Sequence, residues 1–147
     1  MTNLAIASPP IVPLRVVAAA GAAWNAFGIV QFAVQYRASP ASLMAQGMTA
    51  AQADLYAGLP TWMTAAFAVA VFAGTAACLL LALKRPVAMP LLALSLAAFV
   101  LLVIGDIWFG VFAAFGAPTI AIVGSSAMLM LILTLWARRA RIAGHLA

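Results

Sequence analysis

The chain has 147 residues, of which 68% are hydrophobic and only 6% charged, with a net charge of +5. A soluble domain of this size needs more polar residues to cover its surface, so the composition excludes one and implies a single-domain polytopic membrane protein. No basic face with interleaved aromatics exists, which argues against nucleic acid, and one cysteine, one histidine and two carboxylates are too few for a metal site, so no cofactor is expected.

Pro9, Pro10 and Pro13 make residues 1–13 a short tail rather than a regular helix. The first apolar run, about 14–36, carries no charge between Arg15 and Arg37. It is long enough to cross a hydrocarbon core, which takes about 20 helical residues. It is also longer than a signal-peptide core, so it is read as a retained span. At 100° per residue, Gly21, Trp24, Asn25, Gly28, Gln31 and Gln35 share about a third of the helix circumference. Ala23, Ala26, Phe27, Val30 and Val34 take the other side. One face suits lipid and the other needs protein or water.

Residues 37–59 form the only sizeable polar segment. Ser39-Pro40 reads as an N-cap with proline at the first helical position, and Gly47 as a stop. Thr49 and Gln52 match a capping box, predicting a short helix over 50–57 that ends at Gly58 and lies on the membrane surface. The second span is placed at about 60–83, with Trp62 as an interfacial anchor. Thr64, Ala68, Val71, Thr75, Cys78 and Ala82 form its small seam, with Gly74 at the margin. Lys84-Arg85-Pro86 is a basic turn. The third span, about 87–107, ends at Asp106, and its end is expected to overshoot the hydrocarbon or to bend along the interface. Gly116-Ala117-Pro118 signals a turn before the fourth span, about 119–136.

The fold class is therefore all-α: a four-helix transmembrane bundle with a short external helical cap. Four spans put Arg15, Lys84, Arg85, Arg138, Arg139 and Arg141 on one side, and Arg37, Asp54 and Asp106 on the other. The positive-inside rule then places both termini in the cytoplasm.

Asn25 lies near the midplane, where an unpaired amide costs several kcal/mol. It reads either as interhelical glue, toward Thr75, Ser95 or Ser125, or as one of the groups lining a solute path with Trp24, Gln31 and Gln35. Trp24 reads as a packing residue or as a face for a sugar ring. Asp106 and Arg37 read as ordinary interfacial charges or as an ion pair at the outer mouth, and Asp106 looks too close to water to couple protons. Gly21, Gly28, Gly74, Thr75, Cys78 and Ser125 are the expected helix-packing positions. Ser125, Ser126, Cys78 and His145 have no partner constellation for catalysis, so an enzyme is not expected.

Trp24-Asn25-x-x-Gly28, Thr49-x-x-Gln52-x-x-x-Tyr56, Pro60-x-Trp62 and Gly74-x-x-x-Cys78-Leu79-Leu80-Leu81 before Lys84-Arg85 carry a resemblance. Over about the first two thirds, the chain resembles a group of small bacterial four-span inner-membrane proteins, often loosely labelled sugar transporters. Where that group has an acidic residue soon after the glycine, this chain has Gln31 and Gln35, so a charge-coupled mechanism is not expected. The resemblance implies a carrier or permease in the bacterial inner membrane, for small uncharged solutes such as sugars. The alternative is a non-catalytic accessory or assembly subunit of a larger membrane complex. Four short helices enclose only a narrow path, so a homo-oligomer or a complex with a membrane partner is expected in the lipid bilayer.

Overall fold

The computed structural model describes residues 12–36, 38–142 and 144. Among the described residues every regular element is helical. They are α1 (Val12–Gln35), α2 (Pro40–Ala45), α3 (Ala50–Ala57), α4 (Thr61–Ala82), α5 (Ala88–Trp108), α6 (Val111–Phe115) and α7 (Ala117–Ile142). Four of them, α1, α4, α5 and α7, are long and apolar enough to cross a membrane. They form the expected bundle.

The short helices form for local reasons. Ser39 Oγ accepts the Ser42 amide, 3.2 Å away, with Pro40 in the first turn of α2. At α3 the capping box is reciprocal. Thr49 Oγ1 accepts the Gln52 amide (3.3 Å), and Gln52 Oε1 accepts the Thr49 amide (3.0 Å). Gln52 does more than the motif requires. Its Nε2 donates to the Ala114 carbonyl of α6, 2.8 Å away, and so joins the two connections across one end of the bundle.

The α5–α7 connection differs from the expected turn. Phe109 to Phe115 does not continue α5. Gly110, at φ 72°, reverses the chain into the one-turn helix α6, and Gly116, at φ 71°, releases it into α7. Both conformations are costly for a residue with a Cβ. Helix α7 starts at Ala117 and runs through Trp136 to Ile142, with Arg139 and Arg141 in its last turn, where cations offset the helix dipole. The Lys84-Arg85 turn closes with Arg85 N donating to Leu80 O (2.8 Å) and Lys84 N to Leu81 O (3.0 Å), while Lys84 itself sits at φ 57°.

Packing around the bundle is uneven. Helix α4 meets α5 and α1 most extensively, α5 meets α7 less, and α1 meets α7 least. The fully buried residues concentrate toward the end that carries Lys84, Arg85 and the α7 arginines. Ala18, Ala77, Cys78, Leu81, Ala88, Leu92, Met130, Leu133 and Ala137 have no exposure there. Gly21 makes this density possible: a Cβ on it would lie 2.8 Å from Leu133 Cδ1 and 2.9 Å from Cys78 Sγ. Gly28, further along α1, admits Val71 Cγ1 in the same way at 2.7 Å. The face of α1 read as lipid-facing is outward, with Phe27, Val30 and Val34 all more than half exposed.

Gly74 is central rather than marginal. It is buried at the crossing of α1, α4 and α5, where a Cβ would lie 2.9 Å from both Asn25 Cγ and Ser95 Oγ. Ser95 Oγ is itself committed, donating to the Ala70 carbonyl at 2.7 Å. Neither neighbour is a long flexible chain that could swing aside. Gly74→Ala is therefore expected to destabilise the detergent-solubilised protein by about 1–3 kcal/mol through overpacking. Adding Asn25→Ala to Gly74→Ala should recover part of that loss, and a double-mutant cycle on unfolding midpoints measures the coupling.

Candidate functional site

In the half of the bundle away from the basic end, α1 and α7 separate and leave a cavity of about 340 Å³. All four long helices wall it, and Tyr56 of α3 with Val111 and Phe115 of α6 closes over it. Trp24, Asn25, Gln31, Gln35 and Asp106, five of the residues singled out in the sequence, line this one space. Arg37 lies outside the described residues, as does His145.

Each polar group has a distinct place. Asn25 is at the deep end and only 1% exposed. Its Nδ2 donates to the Gly21 carbonyl at 2.8 Å and contacts Met130 Sδ at 3.9 Å. None of the partners expected for it (Thr75, Ser95 and Ser125) receives that bond. Its Oδ1 is pressed against Gly74 and finds no hydrogen bond among the described residues. Such an orphaned acceptor costs about 1–3 kcal/mol.

Trp24 reaches α7. Its indole Nε1 donates to Ser126 Oγ of α7 at 2.9 Å, which ties the two least-packed helices together at the level of Asn25. Ser126 Oγ in turn donates to its own Ile122 carbonyl at 2.8 Å. The expectation that Ser125 packs between helices is corrected here. Ser125 is exposed and bonds only to the Ile122 carbonyl of its own helix, and the bundle-facing serine is the next residue, a 100° step round α7. Thr75 also bonds within its own helix, to the Val71 carbonyl at 2.8 Å. Cys78 is fully buried at the α1–α4 contact.

At the capped end the Tyr56 hydroxyl donates to Gln35 Oε1, linking α3 to α1. Tyr56 also packs edge-on to Phe115 of α6, with ring centroids 6.2 Å apart. Phe32 makes a second aromatic group with Phe67 of α4 and Tyr36, at 6.0 Å and 5.2 Å.

Asp106 departs from its expected setting. At the end of α5 it is only 7% exposed, enclosed where α6 folds back over that end. Gly105 beside it lets Trp62 and Met63 lie close, since a Cβ there would be 2.8 Å from Trp62 Cη2 and 2.9 Å from Met63 Cε. Sequence reasoning missed this lid. The available signal was the pair Gly110 and Gly116 bracketing five apolar residues.

The far side of the cavity is shut. Past Asn25 and the Trp24–Ser126 bond lie Met130, Leu133, Cys78 and Leu81, all without exposure. The cavity is thus a blind chamber with two borders: the helical cap and the gap between α1 and α7. Phe27 and Ile122 stand on either side of that gap, each lining the cavity and each more than half exposed. Among the described residues no three His, Cys, Asp or Glu side chains come together as metal ligands would.

No family model, curated protein or solved structure matches this chain.

Burial, helped by the nearby Asp106 charge, pushes the Tyr56 phenol from 10.0 up to about 12. The folded state therefore holds this proton more tightly than the unfolded state. That contribution to stability is complete below about pH 10 and is lost as pH rises toward 12. Absorbance at 295 nm should show Tyr56 phenolate forming only near pH 12. Tyr56→Phe should remove both that component and its share of the alkaline loss in stability.

Proposed function

We propose that this integral membrane protein is a small-solute carrier whose binding site is the blind chamber between α1 and α7. The single observation that carries the reading is the chamber itself. It is a cavity of about 340 Å³ inside one chain, covered by the helical cap at one end, sealed by close packing at the other and bordered at the side by the gap between α1 and α7. That volume lies at the lower end of the range for small-ligand pockets, so one protomer is large enough to hold a solute without borrowing a partner's wall. Homo-oligomers remain compatible with this arrangement, with each copy holding its own site.

A carrier must also open the sealed end. The contact that would have to yield is α1 against α7, the least extensive of the bundle, held by the Trp24–Ser126 bond and by the fit of Leu133 into Gly21. The walls favour an amphiphilic solute over a sugar. Phe32, Phe67, Phe99, Leu102, Val71 and Val123 form broad apolar surfaces, whereas every hydroxyl of a buried sugar needs a hydrogen-bond partner. The role is binding and passage, without covalent chemistry. The rival reading, an accessory subunit, draws on the same α1–α7 gap, which a partner helix could fill through exposed Phe27 and Ile122.

Flux in proteoliposomes, over a panel of amphiphilic and neutral solutes, separates the two. The carrier reading expects saturable flux that Val123→Trp abolishes by filling the chamber, with the variant eluting and melting as a folded protein. Absence of flux for the whole panel, together with a stoichiometric membrane partner that Val123→Trp displaces, would replace it with the subunit reading.

We place the protein in a bacterial inner membrane with both termini cytoplasmic. The resemblance supports the membrane. The orientation is supported by six basic residues at the end opposite the cap, in α1, the α4–α5 turn and α7. In a Cys78→Ser background, a membrane-impermeant maleimide should label Ala51→Cys in the cap of intact spheroplasts. Val87→Cys, at the basic end, should react only after lysis. The reverse pattern would invert the topology.

A further inference from the structure

The chamber contains a group that passage of a neutral solute does not require. Asp106 is 7% exposed, lines the cavity, and makes no hydrogen bond or ion pair with any described residue. The Tyr56 hydroxyl in the cap, electrostatically coupled to Asp106, is already used, since it donates to Gln35. Among the described residues, no lysine, arginine or histidine lines the cavity. Among the described residues, the other titratable groups sharing it are Tyr36, just after α1, and Tyr56 of α3, while the contributions of α4, α6 and α7 are uncharged. A carboxylate in such a place needs a positive partner. The same cavity is lined by aromatic rings from four helices, Phe32, Phe67, Phe99 and Phe115, and aromatic faces attract a cation.

We infer that the occupant is a lipophilic organic cation, an ammonium or quaternary ammonium group on an apolar body, with Asp106 as its counter-charge. This rests on the reading of the chamber as the solute site and names the class of solute. The apolar body fits the walls of α4, α5 and α7. The head fits the capped end, where Asp106 lies near Tyr56, whose ring packs on Phe115. Paired there, cation and carboxylate form a neutral unit in a low-dielectric space. A sugar offers no such compensation. Entry from the bilayer through the gap between Phe27 and Ile122 suits an amphiphile that already partitions into lipid.

The test uses two ligands of one shape. Benzyltrimethylammonium carries the charge, and neopentylbenzene is its neutral carbon isostere. Each is radiolabelled and measured by equilibrium dialysis against the full-length protein in micelles, with empty micelles subtracted. The wild type should bind the cation saturably and at least about tenfold more tightly than the isostere, as expected for a desolvated carboxylate and aromatic faces acting together. Asp106→Asn should lose that preference while keeping the weaker binding of the isostere. Equal binding of both ligands by the wild type overturns the inference yet leaves the chamber as a solute site, provided Val123→Trp removes both. The same holds if Asp106→Asn keeps the full cation preference. If neither ligand binds the wild type, both the inference and the chamber reading fall. Should Asp106→Asn fail to fold, the comparison of the two ligands on the wild type alone decides.

Discussion

An amide within the hydrocarbon thickness has to be enclosed by protein, and the enclosure of Asn25 organises the rest of this bundle. Its carboxamide occupies the space left by Gly74 on α4, leans on Met130 of α7, and bonds back to the Gly21 carbonyl one turn earlier. On one side of this point the fully buried residues of the four helices concentrate. On the other the helices diverge. Asn25 is too short and too buried to follow the divergence, so it marks the depth at which close packing stops. Two neighbours of Asn25 act at nearly the same depth. Trp24 ties α1 to α7, and Ser95 ties α5 to α4.

What lies beyond that level is shaped by the connections rather than by the spans. Helices of 22 and 21 residues in α4 and α5 can stay in contact along their whole length because a tight turn joins them. Helix α1 reaches α4 only through a long polar segment, and α5 reaches α7 only through α6. These two connections meet over the open end, through Gln52 to Ala114 and Tyr56 to Phe115. The cap therefore closes the chamber and keeps the far ends of α1 and α7 from closing on each other. Asp106 is a consequence of the same lid: a charge that span length alone puts at the interface ends up inside.

Much of the fold was legible along the chain. The capping box at Thr49 and Gln52 and the proline-initiated helix after Ser39 form at the expected residues, since each is decided within a single turn by a side chain and its own backbone. The lipid-facing side of α1 was equally visible, through the 100° spacing of Phe27, Val30 and Val34. The candidate site was legible as a stripe and not as a place. Gln31 and Gln35 do reach one cavity with Asp106, but nothing in the spacing of α1 says which helix Trp24 will bond or that Tyr56 will take Gln35. Ser125 and Ser126 show the limit plainly. Both are small and polar, and only the rotation of α7 about its axis chooses between them.

The sequence alone determined the number and approximate place of the spans, the distribution of charge along the chain and the caps of the short helices. These follow from transfer of apolar segments out of water and from hydrogen bonds between residues a few positions apart, and both act before any helix meets another. Only the tertiary structure decided that α1 and α7 part company, that α6 folds back as a lid, and that Asp106 is enclosed with aromatic rings and no cation from the described chain. Those outcomes depend on which glycine receives which side chain across a helix crossing. That is a property of the assembled bundle, in which Leu133 meets Gly21 across residues more than a hundred positions apart.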